Sequence, residues 1–140
     1  MQPRRWEHFE HDADIGLRAT APSREGLFEA MAEALTGLVT DPEKVRPSEA
    51  VSIECEAPDD ALLLTDWLNA LIYEMATRKM LFSRFEVTIE DGKLHATLSG
   101  EPVDVARHAP AVEPKGATFT GLVVGPGPDG RWRAECIVDV

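Results

Sequence analysis

The chain has little in it that could staple a fold, span a membrane or attract a polyanion. Only two cysteines occur in 140 residues. Cys55 and Cys136 stand far apart and belong to no CxxC pair, so both read as reduced core thiols rather than as a disulfide or a zinc site. No apolar run exceeds four residues, Ala61 to Leu64 being an example, and a membrane span needs roughly 18. Basic residues are scarce: 14 Lys and Arg against 25 Asp and Glu leave a net charge of −11. Such a surface repels nucleic acid, and direct nucleic-acid binding is not expected. There is no Gly-rich phosphate loop, no GxSxG elbow and no recognisable Ser/His/Asp set, so nucleotide hydrolysis and acyl transfer have no support. The Arg4-Arg5 pair is followed by an acidic stretch, Trp6 to Asp14, rather than the apolar segment of an export signal, and a cytoplasmic protein is expected.

What remains is an ordinary globular composition, 44% hydrophobic and 28% charged. The length suits one domain over residues 1–140 that buries roughly 70% of its unfolded surface and folds without disulfides.

The hydrophobic period switches between two and about 3.6 along the chain. Ile15, Leu17 and Ala19 alternate as a strand entered through His11, Asp12, Ala13 and Asp14. Ser23 then caps a helix with Leu27, Met31, Ala34, Leu35 and Leu38 on one face, ending near Thr40 before Asp41-Pro42. Val51, Ile53 and Cys55 alternate with acids in a second strand. Asp59 or Asp60 caps a second helix whose wide stripe of Leu64, Trp67, Leu68, Leu71, Ile72 and Met75 must lie in the core. Phe85, Val87 and Ile89, then Leu94, Ala96 and Leu98, flank Asp91-Gly92 as a β-hairpin. A Pro-containing loop from Glu101 to Pro114 leads to a strand near Ala117 to Val124. After a Pro/Gly-rich turn over 125–130, Trp132, Ala134, Cys136 and Val138 form the last strand. The order predicts an α+β fold: a two-layer sandwich with a mostly antiparallel sheet and two helices packed on one face.

Two polar groups stand out. Asp12 and Asp14 precede the Ile15 strand, while Asp139 and the α-carboxylate of Val140 follow the last one. Clustered carboxylate oxygens suit a hard cation such as Ca²⁺ or Mg²⁺, although taken by themselves the same residues read first as solvated or helix-capping acids. His8 and His11 are two imidazoles, too few for zinc. The second group is the loop running from His108 through Glu113 and Lys115 to Thr118, stiffened by Pro110 and Pro114. Glu113 and Lys115 stand two apart and would otherwise read as a weak surface ion pair.

His11-Asp12-Ala13-Asp14-Ile15-Gly16, Thr40-Asp41-Pro42, Asp66-Trp67-Leu68, Gly100-Glu101-Pro102, Arg107-His108 with Glu113, Lys115 and Thr118, and the closing Ile137-Val138-Asp139-Val140 together resemble the archease family. The ordered set covers essentially the whole chain. The resemblance implies a small α+β accessory protein of an RtcB-type RNA ligase, which joins ends bearing a 2′,3′-cyclic or 3′-phosphate to a 5′-hydroxyl, notably in tRNA splicing. In that family the accessory protein promotes guanylylation of the ligase histidine and allows repeated turnover, so this chain would not itself be an enzyme. By the resemblance, Asp14, Asp139 and Val140 are the metal-binding set, with Ca²⁺ the expected ion, Mg²⁺ or Mn²⁺ as alternatives, and Asp12 as an additional carboxylate. Glu113, Lys115 and His108 are the residues of ligase activation and interface. Two other classes compete: a general chaperone-like interaction module with a structural metal, and a metal-dependent phosphoester hydrolase. The second lacks a convincing general base in the sequence.

Overall fold

The computed structural model describes residues 4–140. Strands β1 (Arg5–His11) and β2 (Asp14–Ala21) form an antiparallel pair that sends the chain into helix α1 (Arg24–Val39). Ser23 caps that helix by accepting the Gly26 N–H at 3.0 Å. A 3₁₀ turn over Pro42–Lys44 follows, then β3 (Glu49–Glu56) and α2 (Asp60–Arg78). Of the two acids offered as caps for α2, Asp59 takes the role, its carboxylate accepting the Leu62 N–H at 2.8 Å. Strands β4 (Met80–Glu90) and β5 (Lys93–Pro102) make the expected hairpin. Asp91 and Gly92 both take positive φ, 53° and 74°, as a two-residue turn between right-twisted strands requires.

The rest comprises a short helix α3 (Val105–His108), two short strands β6 (Gly116–Ala117) and β7 (Val123–Pro126), and β8 (Trp132–Asp139). Every strand pairing is antiparallel, and the strands divide between two sheets. One runs β1-β2-β8-β6 with β7 also on β8; the other runs β3-β5-β4. Helix α1 lies against β2 and β4 and so bridges both sheets, while α2 packs on β3, β4, β6 and β7. Trp67 is fully buried between the helices, donating its indole N–H to the Phe28 carbonyl at 2.9 Å and meeting Phe85 edge-on.

The structure amends the sequence reading in three places. The residues before His11 form a strand, β1, whose inward side chains are amphipathic: Trp6 stacks over Gly37 of α1, and His8 Nε2 bonds the Ala34 carbonyl at 2.8 Å. The single strand expected near Ala117 to Val124 is two, interrupted by a turn in which the Leu122 N–H reaches the Phe119 carbonyl and Gly121 takes φ 61°. The Pro-containing loop carries a helical turn, α3, capped by Asp104. Among the described residues no helix is long and apolar enough to cross a membrane.

Candidate functional site

The second strand and the last one pair in the middle of the larger sheet. Ile15 of β2 faces Val138 of β8, so the register carries Asp14 to the position beside Asp139. On the other side of β8, Gly116 faces Asp139, and the Lys115 N–H donates to the Asp139 carbonyl at 2.8 Å. Asp14, Asp139 and Lys115 thus lie at one end of three neighbouring strands. Val140 follows Asp139 directly, and its half-buried side chain packs against the core. Asp14 is half-buried, and Asp139 is exposed. Asp12 sits in the β1–β2 turn, exposed and in the left-handed region at φ 53°.

His11 pairs in register with Asp14 and buries its Nδ1 without a hydrogen-bond partner among the described residues. No group of three or more His, Cys, Asp or Glu side chains among those residues is arranged to hold a metal ion. Two side-chain carboxylates, the neighbouring Val140 and an orphaned imidazole nitrogen are what this corner offers. Among the side chains of that set, only the Asp14 and Asp139 carboxylates are oxygen donors of the kind a hard cation takes, and the His11 nitrogen is not one of them.

Glu113 and Lys115 are exposed on either side of the buried Pro114. Among the described residues no ion pair joins them, so the surface-pair reading does not hold. The segment ahead of them also lines an open, mainly apolar groove of about 640 Å³ against the end of α2, with Met75, Lys79 and Val105 along its walls.

His108 departs from the role expected of an interface residue. It is 1% exposed, too deep to touch a partner. Its Nδ1 accepts the Asp104 N–H at 2.9 Å, and its Nε2 lies 3.0 Å from Glu101 Oε2, so the proton belongs on Nε2 and is donated to the carboxylate. Glu101 is itself buried at the end of β5 and is gripped at two points by the Arg107 guanidinium, at 2.7 and 2.9 Å. The Arg46 N–H adds a third donor at 2.8 Å. Arg107 above all, then the Arg46 N–H and, more weakly, His108 hold the Glu101 carboxyl well below the usual carboxylate range against the opposing effect of desolvation.

Two further residues anchor this edge, Asn69, which carried no signal in the sequence, and Thr118, which belongs to the family pattern. Asn69 of α2 accepts the Ala117 N–H at 2.8 Å, and Thr118 bonds the Ile137 carbonyl through both its N–H (2.9 Å) and its hydroxyl (3.0 Å). An exposed Asn on a helix looks like a solvated residue until β6 is known to lie beside it.

Comparison with known proteins bears on the whole chain. The sequence model described as the archease protein family (MTH1598/TM1083) matches residues 6–140. Protein archease of Pyrococcus abyssi is 38% identical over 141 residues, covering 98% of this chain and 99% of that one. That of Methanopyrus kandleri is 41% identical over 139 residues, covering 96% and 99%. The solution structure of Methanobacterium thermoautotrophicum protein 1598 superposes with a TM-score of 0.81 at 32% identity, covering 96% of this chain and 98% of that one. A Thermotoga maritima crystal structure described as an archease, possible chaperone, shares the fold with a TM-score of 0.58 at 18% identity, covering 96% of each chain. With a family match over residues 6–140 and relatives aligned nearly end to end, the chain belongs to the archease family.

Proposed function

We propose that this protein is a non-catalytic activator of an RtcB-type RNA ligase, acting in tRNA splicing and RNA repair by promoting guanylylation of the ligase histidine and multiple turnover. The observation that carries the reading is the convergence of Asp14, Asp139 and Lys115 at one end of the β2-β8-β6 strands. Residues from the beginning, the end and the late loop of the chain are brought to one rim, as a contact surface requires and a solvated acid run does not.

Asp14, Asp139 and the carboxylate of Val140 would hold a divalent cation, Ca²⁺ by choice, with Asp12 as an outer carboxylate; Mg²⁺ and Mn²⁺ offer the same oxygen chemistry less snugly. When bound, such an ion supplies positive charge that offsets the mutual repulsion of the carboxylates. Lys115 offers a mobile point cation to a phosphate or carboxylate of the partner, and Glu113 an acceptor for a basic group, both unencumbered by an ion pair with each other. The rim biases the ligase toward the arrangement in which its histidine, GTP and metal are aligned, and the bond-making stays with the ligase. The compartment is the cytoplasm, where such a ligase meets tRNA precursors.

The test is single-turnover guanylylation of the cognate ligase with GTP and Mn²⁺. The protein should raise the guanylylated fraction, and Asp14→Ala and Lys115→Glu should each abolish the rise while unfolding at the wild-type temperature. Full stimulation by both folded variants contradicts the assignment. Suppression of aggregation of unrelated clients, indifferent to both changes, would move the reading to a general chaperone-like module.

A further inference from the structure

The strap from Val103 to Lys115 carries the two residues proposed to face the ligase, and apart from the four-residue helix α3 it is irregular chain. It is fixed at both ends. Near the rim, the Lys115 N–H binds the Asp139 carbonyl. At the far end the fixing is concentrated in one buried polar cluster. Arg107 reaches from the strap to Glu101 through two N–H groups and to the Lys44 carbonyl at 2.9 Å. His108 joins through its ring to Glu101, and its carbonyl accepts the Thr40 hydroxyl at 2.6 Å. The Ala111 N–H then binds the Val39 carbonyl at 2.8 Å. Between the two ends the chain turns once, at Ala109 with φ 45°, and Pro110 and Pro114 limit its freedom.

We propose that Glu101, Arg107 and His108 act as a positioning latch, setting the pose in which the strap presents Glu113 and Lys115 to the ligase; this rests on the activator reading given above. A loop needs no buried ion pair for stability alone. Desolvating Glu101 costs free energy that an apolar contact of the same volume would not incur. What the carboxylate–guanidinium fork adds is direction, since two parallel hydrogen bonds fix the orientation of Arg107 where packing would leave it free to slide. His108 locks the same carboxylate from a second side and holds α3 in the same stroke, because its Nδ1 takes the Asp104 N–H. Glu101 and His108 are buried and out of a partner's reach, while Arg107, with 32% of its side chain exposed, has its guanidinium committed to Glu101.

Loosening the latch lowers the fraction of molecules whose strap is in the presenting pose. Apparent affinity for the ligase then falls by that fraction, while the activity of the assembled complex stays the same. A rim residue such as Lys115 behaves in the opposite way, since its loss lowers the maximum reached at saturation.

The experiment measures ligase guanylylation against concentration of wild type, Glu101→Gln, Arg107→Lys and Lys115→Ala, alongside amide hydrogen exchange of each isolated protein. If a tenth of the latched population survives, Glu101→Gln should need about tenfold more protein for half-maximal stimulation and reach the wild-type plateau. Arg107→Lys, which keeps the charge and loses the fork, should fall between the two. Exchange over 103–115 should speed up in both latch variants while α1, α2 and β8 stay protected. Should Glu101→Gln fail to fold, Arg107→Lys carries the same comparison. Unchanged exchange over the strap, or an unchanged half-maximal concentration, overturns the latch. A reduced plateau at unchanged half-saturation overturns it as well, placing these residues in the activating contact. Absence of stimulation by the wild-type protein overturns the underlying activator reading, and the presenting role with it.

Discussion

Glu101 is a buried carboxylate held by Arg107, the Arg46 N–H and His108, and its effect on stability has a definite sign. Its folded-state carboxyl is depressed by Arg107, by the Arg46 N–H and by His108, against an ordinary value of 4.5. A depressed carboxylate contributes stability that is fully present above the ordinary value and is lost as pH falls through the folded one. Wild-type protein should therefore lose stability progressively on acidification below about pH 4.5. Glu101→Gln should show a flatter acid limb in urea titrations at stepped pH; parallel limbs would contradict the assignment. Glu29 works in the other sense, its carboxyl raised by burial, so the comparison between variants carries the test. Gly100 marks a different constraint. A Cβ there would meet the Leu81 carbonyl oxygen at 1.9 Å, a backbone atom that cannot swing aside. Gly100→Ala should cost about 1–3 kcal/mol or more, read as a fall in the urea midpoint. Cys136 is buried, with its thiol pushed up to about 11 by desolvation, as a structural thiol should be. At this scale the sequence showed residue types well and partners poorly. The pattern in Arg107-His108 is plain in the chain, but nothing in one sequence says that both side chains turn inward onto Glu101.

Helices α1 and α2 and the β4–β5 hairpin were legible because each carries its own punctuation: Ser23 and the Asp59-Asp60 pair as caps, Asp91-Gly92 as a turn, and an unbroken period between. Leu68, fully buried in α2, shows what that periodicity supplies, and Leu68→Ala should cost about 2–5 kcal/mol in equilibrium unfolding. Strand β1 was not legible, because the inward face of an edge strand here uses Trp6 and His8, whose polar atoms disguise the alternation. The β6–β7 break was hidden for the opposite reason, since the alternation looks continuous while Gly121 turns the chain. The site depended on pairing, and pairing is long-range: only the register of β2 with β8 and of β6 with β8 brings residues 14, 115 and 139 together. That geometry couples the ion proposed at Asp14, Asp139 and Val140 to the strap, because the Lys115 N–H rests on the Asp139 carbonyl. Added Ca²⁺ should slow hydrogen exchange around Lys115 and β8, and Asp14→Ala should remove the effect. Equal exchange with and without Ca²⁺ would dissociate the ion from the strap.

For the whole molecule, the net charge of −11 is an argument about encounter rather than about fold. The ligase proposed as partner grips RNA and GTP and would expose basic grooves, toward which a chain of this charge would be steered by long-range attraction. Association should therefore slow as ionic strength rises from about 0.01 to 0.15 M, over which the screening length shrinks from roughly 30 to 8 Å. A rate indifferent to salt would place the contact on apolar surface instead, with the groove beside the strap as the natural face. The central claim is that the protein turns a stalled ligase into a cycling one. The measurement that tests it most directly is joining of a 3′-phosphate RNA to a 5′-hydroxyl RNA, with RNA in large excess over the cognate ligase, GTP and Mn²⁺ present, with and without this protein. The account predicts about one turnover without it and many with it, reverting to one with Asp14→Ala or Lys115→Glu. Ligation that stays at one turnover with wild-type protein, folded and in excess over an active ligase, would contradict it.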